Sequence, residues 1–481
     1  MKVNNASNET GKEAFPSGEP ALTQNASGYV EKSKDQLLER WLDWVVKASG
    51  SEPVFLIILV GLLLWAFLGI RYGQSSDWAV IISDVQAIVS YVFDSLLMRQ
   101  QLNGYEKMLR VSAGLSSRNI SLCRMLRKAR SSGRYEAARP AELGAVDGIR
   151  FEFPTENLVG RVSTLASRVL GHFVTLISYW VCIFIWIGFG PYCNWSNRWQ
   201  LYINSATSAL MVLIFAFLAN IRERHDNYIE SCQNILFEVD CAVELRLRTI
   251  TGDDTPNETV VIPAPKLSRI QRAIFYYADL VGTLTGIAIL MIVIAIWIAI
   301  GPLMSFNSNW WLLIGTYAGL VGLHDGFVLR NVQMQFDNYA DEALEKVASE
   351  DKSILADIGM QDQANSYTPQ RAVVSRLSAK MGAICSHEMT VMLGVVFIIG
   401  LLAGASAMKW TTTGQLLCNV PPSIIESFVM MILITGHNLA EAKRREEIHQ
   451  MYLRRVKLLA YVEGLAIGDG KTRGGHLGGE T

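Results

Sequence analysis

Eight apolar segments, each long enough to cross a lipid bilayer, constrain the fold of this chain more than any other feature. A transmembrane helix needs about 20 mostly apolar residues to cross roughly 30 Å of hydrocarbon. Half of the 481 residues are hydrophobic and 18% are charged, which is too apolar for a typical soluble protein. The sequence therefore predicts an all-α polytopic membrane protein with eight transmembrane helices. The segments are residues 53–70, 78–98, 171–190, 199–220, 280–301, 310–330, 389–408 and 417–437.

Lysine and arginine are distributed unevenly between the connections. Only Arg71, Arg198 and Lys409 lie in the connections that follow the first, third, fifth and seventh segments. The other cations lie in the two termini and in the remaining connections. Because basic residues are enriched on the cytosolic side of membrane proteins, we expect both termini to be cytosolic and the short turns to face outward. The net charge of −1 gives no support for a nucleic-acid partner.

Three of the four predicted hairpins share the spacing W-x3-G-x8-W. The glycine is suited to ending the outgoing helix, and the tryptophans are suited to the headgroup level of the membrane. The fourth hairpin, around GASAMKWTTTGQLL, keeps the length but not this spacing. The matching strings are WAFLGIRYGQSSDW, WIGFGPYCNWSNRW and WIAIGPLMSFNSNW, which begin at Trp65, Trp186 and Trp297.

Each hairpin is preceded by an amphipathic segment and followed by a charged helical segment. The preceding segments, LLERWLDWVVKASGS, NLVGRVSTLASRVLG, SRIQRAIFYYADL and SRLSAKMGAICSH, have the pattern of helices that lie on the inner leaflet. Four such units in one orientation make a parallel repeat. The predicted organisation is a disordered cytosolic N-terminus (1–34), hairpin repeat 1 (35–110), a cytosolic linker (111–157), repeat 2 (158–250), a linker (251–264), repeat 3 (265–350), a linker (351–368), repeat 4 (369–465) and a flexible tail (466–481).

The chain resembles the fungal low-affinity iron(II) permeases. The resemblance is carried by the W-x3-G-x8-W turns, by FDSLLMRQQLNGYEKML after the second segment and by WQLYINSATSALMVLIFAFLANIRER through the fourth. It extends over roughly residues 35–460, and the second and third units are also similar to small bacterial members with a single hairpin. The resemblance implies low-affinity uptake of iron(II) across the plasma membrane, with other divalent ions such as copper and zinc tolerated. It implies a transporter, not an enzyme. Manganese is a further expected cargo.

Ionisable residues deep in the membrane segments fall only on the even-numbered segments. An isolated carboxylate there costs at least about 3 kcal/mol, and such residues usually line a polar path. We therefore expect four even-numbered helices to surround a path and the odd-numbered helices to face lipid. The candidate metal-binding residues, in order of preference, are Asp325, Asp94, His324, Glu426, Asp84 and His437; the fourth segment adds Asn204, Ser205, Thr207 and Ser208.

Iron(II) accepts carboxylate and imidazole ligands, and a transporter needs sites with few ligands so that the ion is released. At 1.5 Å per residue, Asp84 lies about 9 Å below the outer turn, Asp325 about 22 Å and Asp94 about 24 Å. No resident cofactor is expected. The expected partners are divalent metal ions, namely Fe²⁺ and also Zn²⁺ or copper ions, and the lipid bilayer, while a homodimer is left open. The glycines at 315, 319, 322 and 326 predict close packing between helices.

Two other functions are compatible with the sequence. One is a membrane scaffold or sensor that acts through its cytosolic helices. The other is a haem-bearing oxidoreductase with axial ligands drawn from His172, His324, His387 and His437. Residues at the inner ends of odd segments (Glu52, His172, His387 and Glu388) are interpreted as caps or interfacial groups in preference to a second metal layer. His225 is expected to be solvated.

Overall fold

The computed structural model describes residues 37–73, 75–131, 158–263, 265, 267–360 and 373–475, which form helices and connecting turns with no strand among them. The predicted N-terminal segment 1–34 lies outside these residues. So do parts of two predicted linkers, residues 132–157 and 361–368, and the last residues of the tail, 476–481.

Thirteen helices follow one another in the described residues. They are α1 (Leu37–Ser49), α2 (Glu52–Tyr72), α3 (Ser76–Ser131), α4 (Leu158–Leu170), α5 (Phe173–Gly188), α6 (Asn197–Thr251), α7 (Arg269–Gly282), α8 (Leu284–Ile300), α9 (Ser308–Asp357), α10 (Val373–Ser386), α11 (Glu388–Ala407), α12 (Thr412–Leu417) and α13 (Val420–Gly475).

Four long helices form the centre of the molecule. Helices α3, α6, α9 and α13 have 56, 55, 50 and 56 residues. Each is therefore about 75–84 Å long, more than twice the thickness of the hydrocarbon layer. Helix α3 packs along α6 and α9, and α13 packs along the same two helices. The four helices thus form a ring in which α3 faces α13 and α6 faces α9 across a common axis.

Six helices in the described residues are long and apolar enough to cross a membrane: α2, α3, α6, α9, α11, and α13 with the short α12 before it. Helices α5 and α8 have only 16 and 17 residues. Each follows an amphipathic helix, α4 or α7, at a bend of 54° or 66°, and each bent pair counted as one span raises the number to eight. The described chain is therefore an all-helical protein with six to eight candidate spans.

The four shorter apolar helices lie at the periphery of the ring. Helix α2 has no buried residue, and α5 and α8 bury two residues each. Helix α11 buries four, which are small or aliphatic. An apolar helix with almost no protein contact is stable only where lipid covers it. The placement agrees with the prediction that the odd-numbered segments lie outside the even-numbered ones.

Helices α1, α4, α7 and α10 occupy the positions of the four amphipathic segments. The long helices continue into the segments predicted as two linkers and as the tail. Helix α3 runs through residues 111–131, α9 runs through 351–357 and α13 runs through 466–475. Apolar residues at helical spacing, such as Leu122 and Met125, extend these helices because they pack into an apolar cluster shared with the other long helices.

The tryptophans of the repeated motif stack on one another. In the first and third hairpins each indole Nε1 also donates a hydrogen bond to the carbonyl oxygen of the other tryptophan, at 2.8–3.2 Å. The tryptophan pair at this spacing therefore holds the two helices of a hairpin together. The stacked pairs are Trp65–Trp78, Trp186–Trp199 and Trp297–Trp310, with ring centroids 4.4, 3.9 and 4.3 Å apart.

The fourth hairpin has the same turn as the second and third, although it lacks their tryptophan spacing. Each of the three turns contains two consecutive residues with positive φ, the second of them aromatic. The aromatic residue donates its backbone N–H to the carbonyl of a small residue five positions earlier. The sequence pattern that indicates this turn is therefore a small residue followed, five positions later, by an aromatic residue. The bonds are Trp195 to Gly190 (2.9 Å), Phe306 to Gly301 (3.0 Å) and Trp410 to Ala405 (3.0 Å).

Candidate functional site

Three carboxylates from three of the long helices lie close together inside the ring. They are Asp94 on α3, Asp325 on α9 and Glu426 on α13, with relative exposures of 1%, 0% and 0%. Asp94 is within electrostatic reach of the other two, and Glu426 is within reach of Asp325. The prediction that the even-numbered segments present their carboxylates to one another agrees with this geometry. We call these three residues the carboxylate cluster.

Glycines on α9 make room for the polar side chains of α13. A Cβ atom at Gly322 would lie 2.6 and 2.8 Å from the carboxylate oxygens of Glu426. A Cβ atom at Gly315 would lie 2.7 Å from Asn419 Nδ2. Because Gly322 precedes Asp325 by about one helical turn, the close approach sets the Glu426 carboxylate beside that of Asp325. The predicted glycine stripe therefore makes room for a buried carboxylate as well as letting two helices pack closely.

Hydrogen bonding within the carboxylate cluster is incomplete. Tyr277 of α7 donates its hydroxyl to Asp325 Oδ1 at 2.6 Å. Among the residues that the structure describes, neither oxygen of Asp94 or of Glu426 has a hydrogen-bond partner. A buried carboxylate without a partner is costly unless a proton or a cation accompanies it. Carboxylate oxygens are donors that a divalent cation accepts.

His324 and Asp325 both meet the same tyrosine. The imidazole of His324 lies edge-on to the ring of Tyr277, with 4.7 Å between ring centroids. Consecutive residues of a helix point about 100° apart. Tyr277 nevertheless contacts both side chains, His324 with its ring and Asp325 with its hydroxyl. Sequence reasoning missed it because it lies on an amphipathic helix outside the apolar segments.

Replacing Tyr277 by Phe is expected to raise the concentration of Fe²⁺ needed for half-maximal uptake by about 3- to 10-fold, with little change in the maximal rate. The change removes one charge-assisted hydrogen bond that orients the Asp325 carboxylate and leaves the ring in place. The measurement is concentration-dependent uptake into proteoliposomes. The matched control is Tyr276→Phe, because the neighbouring tyrosine is exposed. Equal effects of the two changes would contradict a positioning role for Tyr277.

A second polar group lies nearer the turns. Asp84 precedes Asp94 by ten residues on α3, so the two carboxylates are about 15 Å apart along the helix. Next to Asp84, the hydroxyl of Ser83 accepts a hydrogen bond from Asn204 Nδ2 at 2.8 Å. The other three polar residues predicted on the fourth segment are buried and bonded within the bundle: Ser205 to Leu201 O (2.7 Å), Thr207 to Ile203 O (2.9 Å) and Ser208 to Gln86 Oε1 (3.3 Å).

His437 pairs with a histidine that was expected to be solvated. His225 Nδ1 and His437 Nε2 are 2.9 Å apart, and the two rings are stacked. His225 is buried, so the expectation for it was wrong. The signal in the sequence is helical spacing, because the buried residues Leu218 and Ile221 precede it by seven and four positions on the same face.

The residues at the inner ends of the odd segments act as caps and surface partners. His172 Nδ1 accepts a hydrogen bond from the N–H of Val174 at 3.2 Å, and His387 Nδ1 accepts one from Met389 at 3.1 Å. These bonds confirm the capping interpretation of the two histidines. Glu52 pairs with Arg224 Nη1 at 3.1 Å, and Glu388 accepts from Ser268 Oγ at 2.5 Å.

Within the described ranges, no three His, Cys, Asp or Glu residues converge tightly enough to enclose a metal ion. The carboxylate cluster is thus a set of spaced acidic groups, not a closed cage. An ion in such a set keeps part of its water shell and exchanges between ligands more easily than in a cage.

A chain with six to eight candidate spans and a ring of helices around buried carboxylates is a polytopic membrane protein with a charged interior.

A family model described as low affinity iron permease matches residues 159–259 and 374–456. The chain is 35% identical over 447 residues to the "Low-affinity iron/zinc ion transport protein fet4" of Schizosaccharomyces pombe, covering 92% of this chain and 76% of the relative. It is 36% identical over 473 residues to the "Low-affinity Fe(2+) transport protein" of Saccharomyces cerevisiae, covering 91% and 85%.

The chain belongs to the low-affinity iron permease family, as its sequence motifs predicted. No solved structure matches it. The two blocks matched by the family model fall in the second and fourth hairpin units. The fourth unit therefore keeps the family pattern although its tryptophan spacing is lost.

Proposed function

We propose that this chain is a low-affinity plasma-membrane permease for iron(II) that passes the ion along the axis of the four long helices. The observation that carries the proposal is the meeting of Asp94, Asp325 and Glu426 inside the ring, with four carboxylate oxygens that lack a partner in the described part of the chain. The names of the two relatives support the choice of cargo. Because the ring closes within one chain, the path lies within a protomer.

The proposed architecture is eight spans arranged as four hairpins in parallel, with both termini in the cytosol. The two bent pairs, α4–α5 and α7–α8, supply the spans beyond six. Separate matches of the family model to the second and fourth units support a repeated unit. The confinement of most Lys and Arg residues to the termini and alternate connections supports the orientation.

The path begins at Asp84 near the turns, continues through the carboxylate cluster with His324 beside it, and reaches His437 at the inner end. Negative side chains in a low-dielectric bundle replace part of the favourable hydration that the ion loses. The membrane potential supplies the driving force, because it favours inward movement of a dication by about 4.6 kcal/mol per 100 mV. The sequence contains no G-x4-G-K-[ST] motif that would support coupling to ATP.

Zinc, copper and manganese are further cargo in this proposal. Carboxylate and imidazole groups bind all of these divalent ions, so the donor set alone gives weak selectivity. Weak selectivity and spaced ligands both favour low affinity, since the ion meets few ligands at any level of the path.

The test is uptake of Fe²⁺, kept reduced with ascorbate, into liposomes that contain the purified chain. An inside-negative potential set with potassium and valinomycin is expected to increase the initial rate above that of protein-free liposomes. Excess Zn²⁺ in the bath is expected to reduce it. Uptake equal to that of protein-free liposomes would refute the permease and favour a scaffold or sensor. An absorbance spectrum with a Soret band would favour the haem alternative.

A further inference from the structure

The four long helices continue beyond the apolar spans as a stalk, formed by residues 99–131, 221–251, 331–357 and 438–465. Where the stalk begins, the ring encloses a small cavity of about 70 Å³ on its axis. Each long helix contributes to the walls of this axial cavity. Representative wall residues are Gln101 of α3, Arg222 of α6, Asp337 of α9 and His437 of α13.

Below the axial cavity the axis of the stalk is filled with apolar side chains. Leu115, Leu236, Leu344 and Met451, one from each long helix, are fully buried in a single cluster. Packed hydrocarbon of this kind has no room for a hydrated ion and offers it no polar group. An ion that reaches the axial cavity therefore has no route along the axis.

A second, larger cavity of about 460 Å³ lies beside the axial cavity, between α1, α3 and α6. The two cavities share five wall residues, so only these side chains and the space around them lie between the two. At Gly104, which lines both, no atom lies within 4 Å of the place that a Cβ atom would take. The shared residues are Gln100, Gly104, Met108, Asp226 and Arg444.

The larger cavity has the charged lining expected of a passage filled with water. Asp43, Glu106 and Glu223 lie in its wall, as do Arg40 and Lys47. An ion pair between Lys107 of α3 and Glu230 of α6 crosses its edge. Both partners are partly exposed, so the edge is accessible to solvent. Acidic groups next to solvent let a cation leave the bundle without losing contact with both water and ligands.

We propose that the transported metal ion leaves the bundle sideways, between α3 and α6, through the space at Gly104, which we call the side exit. The inference rests on the proposed function, because it assigns the last step of the path through the ring. It predicts that the passage depends on empty space at Gly104 and not on any ligand there.

The test is to fill the side exit. Gly104→Trp is expected to lower Fe²⁺ uptake into proteoliposomes at least tenfold, and Gly104→Ala is expected to leave uptake within twofold of the wild type. The matched control is Gly61→Trp on α2, where an added Cβ atom also meets no atom within 4 Å but lies outside the ring. Wild-type uptake by a folded Gly104→Trp variant would overturn the side exit.

A second variant separates blockage from misfolding. Gly104→Cys is purified, reconstituted and then treated with a bulky methanethiosulfonate reagent, with identically treated wild-type protein as the control for native cysteines. Loss of uptake only in the treated variant supports the side exit, and unchanged uptake after complete labelling overturns it. Asp325→Asn is measured in parallel. Normal uptake by Asp325→Asn refutes the proposed path as a whole, whereas its loss together with normal uptake by labelled Gly104→Cys refutes the side exit alone.

Discussion

Replacing Asp325 by Asn is expected to lower the initial rate of Fe²⁺ uptake by about 10- to 100-fold, a loss of roughly 1.4–2.8 kcal/mol in the passage of the ion. The amide keeps the volume of the side chain and still accepts the hydrogen bond from Tyr277, so the change removes little besides a negative charge. In a low-dielectric interior the attraction between a carboxylate and a dication is worth several kcal/mol. The measurement is uptake into proteoliposomes under a fixed inside-negative potential.

Asp94→Asn is expected to lower the initial rate of Fe²⁺ uptake by a similar factor, because Asp94 belongs to the same carboxylate cluster. The control is Asp341→Asn, which makes the same chemical change on the same helix as Asp325. Asp341 pairs with Lys443 at 2.7 Å in the stalk, away from the cluster. Normal uptake by Asp325→Asn would exclude a path through the ring, whatever the result for Asp94→Asn. Equal losses in all three variants would point to a general effect of the substitution.

Replacing Arg455 by Met is expected to destabilise the stalk by about 3–5 kcal/mol. Arg455 of α13 is buried and pairs with Asp240 of α6 at 3.0 Å and with Asp351 of α9 at 2.9 Å. Asn119 of α3 accepts a hydrogen bond from the same guanidinium. Burial raises the pKa of Asp351 above its ordinary value, and the charge of Arg455 opposes that rise. Without Arg455, two buried carboxylates lose the one cation that pairs with both of them, and Asp351 keeps only the more distant Arg454 at 3.8 Å.

The measurement is hydrogen exchange of the stalk peptides by mass spectrometry in detergent. Exchange at the level of Arg455 is expected to accelerate by a factor on the order of 10²–10⁴. The matched control is Arg246→Met, because Arg246 pairs with Glu463 at 2.8 Å and joins the same two helices, α6 and α13, on the exposed surface. A surface pair of this kind contributes about 0–1 kcal/mol. Equal effects of the two changes would contradict the role assigned to burial.

The sequence predicts the helices and the depth of each polar group, but not the contacts between helices. Apolar length and the rise of 1.5 Å per residue are enough to place Asp94 and Asp325 at nearly the same level of the membrane. The meeting of these residues with Glu426 also needs the order of the helices around the ring, which no local pattern contains. That order depends on side-chain packing across helices that are far apart in the chain.

The residues that sequence reasoning missed lie where the local sequence pattern is compatible with more than one structural environment. Tyr277 belongs to an amphipathic helix that is bent by 66° from α8, and its hydroxyl donates a hydrogen bond to Asp325 on a different helix, α9. His225 follows the end of an apolar segment, where solvent is the usual neighbour, but the stalk buries it. The turn of the fourth hairpin does not follow from tryptophan spacing, because its conformation depends on a small residue five positions before an aromatic one.

The continuity of the long helices has a mechanical consequence. Helix α9 carries Asp325 and Asp351 without a break, about 39 Å apart. Since the buried ion pairs around Arg455 pin all four helices at one level, each helix acts as a lever with its fulcrum in the stalk. A tilt of about 5° around that fulcrum displaces the carboxylate by about 3 Å, roughly the diameter of a water molecule. Small angular movements of rigid helices are therefore enough to change the distances between the acidic groups by the width of one hydration shell.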